Sequence, residues 1–168
     1  MVIKRWLRHA FMPPWRWRII FPKAVLSAIE MTIRQSEAQH RGEIRFAIEN
    51  ALAPGLVWKG LSARQRATEV FSNLRVWDTA ENCGVLIYLM LADKEVHIIA
   101  DRGITQQVLQ NEWDAIAEGM RQYFLKGDFQ SGSIDGIEQI TLLLAHRFPA
   151  GADHKYNELP DRPVIIRQ

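Results

Sequence analysis

The stretch Asn82-Cys-Gly-Val-Leu-Ile-Tyr-Leu-Met-Leu-Ala-Asp-Lys-Glu-Val-His-Ile-Ile-Ala-Asp-Arg-Gly103 decides the fold. From Gly84 to Ala92 the run is apolar on both faces, which predicts a strand covered on both sides, as in an α/β layer fold. Asp93-Lys94 turns the chain, and Glu95 to Ala100 returns with Val96, Ile98 and Ala100 alternating against His97 and Ile99. The pair reads as a buried antiparallel hairpin. A hairpin brings the chain back to the level where it began, so Asp101 and Arg102 are expected beside Glu81 and Asn82, four polar residues at one rim.

Upstream, Lys23 to about Gln39 reads as a helix opened by Pro22, with Val25, Leu26, Ile29 and Ile33 on one face. Ile44, Phe46 and Ile48 alternate with Arg45, Ala47 and Glu49 as a first strand. Asn50 to Leu61 reads as a connection, and Ser62-Ala-Arg-Gln65 as a capping box. The helix it starts carries the stripe Ala63, Ala67, Val70, Phe71, Leu74 and Trp77 and is expected to end near Trp77. Strand, helix, strand is a crossover unit, so the first two strands should be parallel and the hairpin return antiparallel to both. Glu43, Glu81, Asn82 and Asp101 then share one end of the sheet.

Downstream, Ile104, Val108, Leu109, Trp113, Ile116, Met120 and Phe124 repeat at three and four, Asn111 with Asp114 could restart the helix through a cap, and Gly127 closes it with Asp128 in a turn or cap. A last helix is expected from near Ser133, with Ile134, Ile137, Thr141, Leu144 and Phe148 on one face and Pro149 as its stop. The predicted architecture is a three-layer α/β/α sandwich, a small mixed sheet of crossover unit plus hairpin flanked by about four helices. It divides into a basic aromatic arm over 1–21, a domain over 22–149, and a tail over 150–168, with Asp153, Pro160 and Pro163, that reads as extended.

At 168 residues the chain is of single-domain length. Its single cysteine, Cys83, excludes an internal disulfide framework and a multi-cysteine zinc site, and points to a reducing compartment. The formal charge of +2 hides an asymmetry: the first 23 residues hold Lys4, Arg5, Arg8, Arg16, Arg18 and Lys23 with no acid, leaving 15 basic against 19 acidic groups in the rest. The arm mixes Arg5, Trp6, Arg8, Trp15, Arg16, Trp17 and Arg18 with Phe11 and Phe21, which suits an anionic membrane surface. The same residues would also serve an arm that packs its tryptophans on its own domain with the arginines in solvent; nucleic acid is the less favoured partner. Pro13-Pro14 and the arginines break any signal-peptide core, and no run reaches transmembrane length. The expected location is cytoplasmic, peripheral to the inner membrane face.

The ordered set Val76-Trp77-Asp78, Asn82-Cys-Gly-Val-Leu-Ile87, Asp101-Arg-Gly-Ile104 and Phe124-Leu-Lys-Gly-Asp-Phe129 resembles the TPM-domain family. That family includes thylakoid-lumen-phosphatase-like and photosystem-repair proteins, and the likeness, over Pro22 to Pro149, is to a bacterial single-domain member. Two departures stand out: Asn82-Cys83 replaces the family's usual Asp-Asn before the central strand, and Asp101 stands at the first glycine of its usual Gly-x-Gly. The resemblance implies the three-layer sandwich and, as in some members, calcium binding and acid phosphatase activity. Signal peptides and transmembrane tails, common in plasma-membrane or secreted members, are not expected here.

Asp78, Glu81, Asn82 and Asp101, with Glu43 nearby, could offer oxygen ligands to Ca2+, which takes about six to eight of them. Equally, these acids could cap helices, pair with Arg41 or Arg102, or face water. A metal-dependent phosphatase would use Asp78, Glu81 and Asp101 to hold the ion and Arg102 to orient phosphate, or Asp101 or Asp78 as a covalent nucleophile. Cys83 reads as a buried filler or, if partly exposed, a redox-sensitive thiol. His9, His40, His97, His146 and His154 lack metal-motif spacing, and phosphate-loop, dinucleotide and Gly-x-Ser-x-Gly signatures are missing. The leading expectation is a metal-responsive interaction module near a membrane, with an unidentified protein partner. A metal-dependent phosphatase is one alternative, and an inert scaffold working through its helix faces or tail is another.

Overall fold

A computed structural model describes residues 2–151 and 157–167. In chain order the elements are α1 (Val2–Ala10), α2 (Arg16–Ile20), α3 (Lys23–Glu37), β1 (Glu43–Glu49), α4 (Pro54–Trp58), α5 (Ala63–Asn73), β2 (Gly84–Met90), β3 (Glu95–Ala100), α6 (Arg102–Thr105), α7 (Gln110–Leu125), α8 (Phe129–Arg147) and β4 (Val164–Ile166). The strands form one sheet in the order β3-β2-β1-β4.

β1 and β2 are parallel from Glu43 opposite Gly84 to Glu49 opposite Met90. β2 and β3 are antiparallel from Val85 opposite Ala100 to Met90 opposite Glu95. β2 is buried throughout, as a central strand with helices on both sides must be. One face packs Ile44, Phe46, Ile48, Val85, Ile87 and Leu89 against α3, α7 and α8. The other packs Ala47, Leu86, Tyr88 and Met90 against α4 and α5. The mixed sheet and three layers predicted from the hairpin are therefore present.

Three local expectations are corrected. α5 ends at Asn73, because Arg75 takes a left-handed φ of 53° and turns the chain. Trp77 therefore lies off the helical stripe, 47% exposed. α8 starts at Phe129 rather than near Ser133, since Asp128 caps it by accepting from the Ser131 amide at 3.1 Å. The connection after β1 contains α4, entered through Pro54 at a first-turn position that tolerates proline. The extended tail supplies a fourth strand: β4 pairs parallel with β1, Ala47 opposite Val164 through Glu49 opposite Ile166. Asp153 and His154 lie outside the described residues.

The arm is folded and seated on the domain. Trp6 and Met12 pack against the α5-side core, and Phe21 is buried at the edge of the other core with Trp17 against it. Among the described residues no helix is long and apolar enough to cross a membrane.

Candidate functional site

The rim forms where β3 ends beside the start of β2. Gly84 opens β2 with its Cα so close to Val76 that a methyl group there would lie 1.9 Å from the Val76 carbonyl oxygen. Asn82 adopts a left-handed φ of 54°, and its carbonyl accepts from the Gly103 amide at 3.0 Å. Asp101 donates its own amide to the Gly84 carbonyl at 2.9 Å. The hairpin thus brings Asp101 and Arg102 to Asn82, as the sequence predicts.

The side chains are engaged chiefly by arginines. Arg102 donates from Nε and Nη2 to Asn82 Oδ1 at 3.0 and 2.8 Å. Arg41 pairs with Glu81 at 2.9 Å, and Arg75 with Asp78 at 2.6 Å. Glu43 turns toward the C-terminal segment and accepts from the Leu159 amide at 3.1 Å. Asp101 uses Oδ1 to cap α6 at the Arg102 amide, 2.7 Å, while its buried Oδ2 has no hydrogen-bond partner. Cys83 is buried, with its thiol 3.3 Å from the Glu81 carbonyl. Among the described residues no three His, Cys, Asp or Glu side chains gather closely enough to hold a metal ion. The described side chains as they stand therefore do not assemble a calcium shell of about six to eight oxygens, and Asp101 Oδ2 is a buried acceptor at the rim without a hydrogen-bond partner.

A second polar centre joins the arm to the hairpin turn, where the sequence marks Asp93 only as a turn residue and Arg5 only as a membrane-contact candidate. Asp93, with its side chain 2% exposed, accepts from Arg5 Nε at 3.0 Å and Nη2 at 2.8 Å. His9 Nε2 stands 3.1 Å from Asp93 Oδ1, and His9 Nδ1 accepts from the Leu52 amide at 2.8 Å. Burial works to raise the Asp93 pKa, but hydrogen bonding to His9 and Arg5 and their charges outweigh it and hold the carboxyl well below its usual range. The available signal was an acid in a turn with no local partner and an arm of cations with no acid.

Of the seven membrane-contact candidates, Arg5, Trp6 and Trp17 are committed to the domain. Arg8 is mostly exposed at 3.4 Å from Asp93, and Trp15, Arg16 and Arg18 face outward. The exposed side of the arm also carries Ile3, Leu7, Phe11 and Ile19.

Ser36 and His40 form a buried pair at 2.8 Å that does not suit nucleophilic catalysis. The Gly42 amide donates to His40 Nδ1 at 3.1 Å, so the neutral ring carries its proton on Nε2 and donates to Ser36 Oγ rather than accepting from it. Ser36 Oγ also meets Thr141 Oγ1 at 2.6 Å, tying α3 to α8.

Residues 20–142 match the family model of the TPM domain. The chain belongs to the TPM-domain family. A similar solved structure is the BA42 protein of the psychrophilic bacterium Bizionia argentinensis. It is 33% identical with a TM-score of 0.74, and the match covers 84% of this chain and 92% of that one. The N-terminal domain of a P. gingivalis protein shares the fold at 14% identity and a TM-score of 0.63, over 82% of each chain. No curated protein matches the sequence. Helix α1, all of α2 but its last residue, the end of α8 and strand β4 lie outside the matched span.

Proposed function

We propose that this TPM domain is a binding module that seats on an anionic membrane surface through its docked N-terminal helix. One observation carries the reading. Ile3, Leu7 and Phe11 stand exposed one turn apart along α1 and its end, with Lys4 and Arg8 beside them, while Trp6 and His9 face the domain. An amphipathic segment of this kind lies in the interface plane, its apolar row in the headgroup boundary and its cations against acidic lipid. Each cation adds about 1 kcal/mol near such a surface. Because Arg5 and His9 fix the helix to the hairpin turn, the row is presented without an ordering cost on binding.

Co-sedimentation of the full chain with phosphatidylglycerol-containing vesicles tests this. Pelleting is expected with those vesicles, to fall with salt, to be weak with phosphatidylcholine alone, and to be lost in Leu7→Asp with Phe11→Asp. Equal pelleting of the double variant, or equal binding to neutral vesicles, would remove the membrane reading.

A second reading is favoured by the unpartnered Asp101 Oδ2. Asp101 would contribute a carboxylate to a divalent cation, with Arg41 and Arg102 giving up exposed contacts that cost about 0–1 kcal/mol each. Hydrolysis has less support in the geometry: the guanidinium expected to orient phosphate, Arg102, is spent on Asn82.

A further inference from the structure

We propose that residues 157–166 form a pH-sensitive strap, latched to the end of α3 by one proton shared between the carboxyl groups of Glu37 and Asp161 and released when that proton is lost. The strap runs past the end of α3 and the start of β1 and includes β4, the partner of Ala47–Glu49. Its apolar hold is slight: Leu159 and Pro163 are buried, and β4 is three residues long. A segment held chiefly by polar contacts belongs to the part of a fold that opens first.

Glu37, Glu43, Glu158 and Asp161 meet Arg34 and Arg45 where the strap passes. The buried Asp161 accepts from Arg34 Nε at 3.0 Å and from Asn157 Nδ2. Glu43 accepts from the Glu158 and Leu159 amides at 3.3 and 3.1 Å, and Glu158 reaches the Ala80 amide at 3.0 Å. Glu37 takes the Ile44 amide on Oε1 at 2.8 Å, and its carboxyl stands within hydrogen-bonding reach of Asp161. Among the described residues no cation is paired with Glu37: Arg34 lies between Asp161 and Glu30, and Arg45 donates to the Pro160 and Arg162 carbonyls. Of two carboxyl groups in contact, the one with a guanidinium beside it keeps its charge and the other holds the proton. Asp161 is therefore the carboxylate and Glu37 the acid that donates to it. Burial, aided by Glu43 and Asp161, pushes Glu37 up to about 8. Ionised, Glu37 would set a second negative charge against the residue by which the strap is held. In the opened chain Glu37 faces water and regains its ordinary 4.5, so the latch is intact at low pH, and the opening equilibrium grows by up to about tenfold per pH unit until it levels off near 8. Opening carries β4 away and leaves Ala47–Glu49 as the edge of the sheet. The strap is independent of the membrane reading, whose apolar row lies on α1 and its end.

The test is hydrogen–deuterium exchange of the full chain at pH 6, 7 and 8, read by mass spectrometry and corrected for the intrinsic rate at each pH. Peptides covering 157–166 should lose protection by about tenfold or more from pH 6 to 8, while those covering β2 and β3 keep theirs. In Glu37→Gln the amide accepts from Ile44 and donates to Asp161 without a proton to lose, so protection of the strap should stay level across the range. Carboxyl carbon-13 NMR of the parent chain should place the Glu37 titration near 8; this and the parent pH series decide the matter without the variant. Strap protection that does not change with pH, a loss spread equally over β2 and β3, a loss that persists in Glu37→Gln, or a Glu37 midpoint near its ordinary 4.5 would each overturn the proposal.

Discussion

The Gly103 amide donates to the Asn82 carbonyl across 3.0 Å, and a methyl group at Gly103 would stand 2.5 Å from that same oxygen. The rim is therefore built by backbone approach rather than by its charged side chains. Gly103→Ala is expected to destabilise the fold by about 1–3 kcal/mol through overpacking. Gly84→Ala, which meets the Val76 carbonyl at 1.9 Å, should cost more. Denaturant unfolding measures both; unchanged midpoints would show that the rim can relax.

Asp93 holds the arm. Asp93→Asn removes the charge facing Arg5, Arg8 and His9, and breaking a largely buried pair of this kind costs about 3 kcal/mol. Residues 1–21 should become sensitive to limited proteolysis while the remainder resists. Because the folded pKa of Asp93 is depressed, its contribution is present above the unfolded value of about 4 and is lost as pH falls below it.

Glu37 and His40 pull the pH dependence in opposite directions. Burial, aided by Glu43 and Asp161, pushes Glu37 up to about 8, so the stability linked to its proton is complete below its ordinary 4.5 and lost as pH rises through 8. Burial pushes His40 down to about 4, so its contribution is complete above 6.5 and lost as pH falls through 4. Glu37→Gln retains an acceptor for the Ile44 amide and should raise stability at pH 8 on the order of 1–3 kcal/mol, leaving the acid limb unchanged. Denaturation curves from acid to mild alkali check this, and an unaltered alkaline limb would refute it.

If the Asp101 rim takes a divalent cation, calcium at about 100 times its dissociation constant should stabilise the protein by roughly 2.7 kcal/mol. Asp101→Asn keeps the Oδ1 acceptor that caps α6 and should abolish the rise without unfolding the chain. Thermal unfolding with calcium, magnesium and chelator decides it; equal midpoints in all three would end the metal reading.

The legible part of the fold was the part with long periodic signals. Residues 84–100 declared a buried hairpin, and the hairpin alone placed Asp101 against Asn82. Three-residue β4 has no period to read, and Pro163 before it gives no warning of pairing with β1. Trp77 fits the spacing of α5, but spacing does not register the left-handed turn at Arg75. The arm's composition allowed either docking or display. The outcome lies with Asp93 and Leu52, partners distant in sequence, and the structure shows both at once, an inner side held and an outer side exposed. At the rim, residue types suggested oxygen ligands, whereas Arg41, Arg75 and Arg102 decide what those oxygens touch.

The bond from Arg5 to Asp93 spans 88 residues, so α1 leaves the ribosome long before its anchor exists. During synthesis α1 has neither the hairpin turn nor α4 to rest on, and Trp6 and His9 stand as open as Ile3 and Leu7. β4 is its mirror image in time, made after β1, β2 and β3 and closing on a β1 completed more than a hundred residues earlier. Both contacts are non-local closures on the sheet, and until the hairpin turn has been synthesised the apolar, cationic outer row of α1 has no docked inner side behind it in the nascent chain.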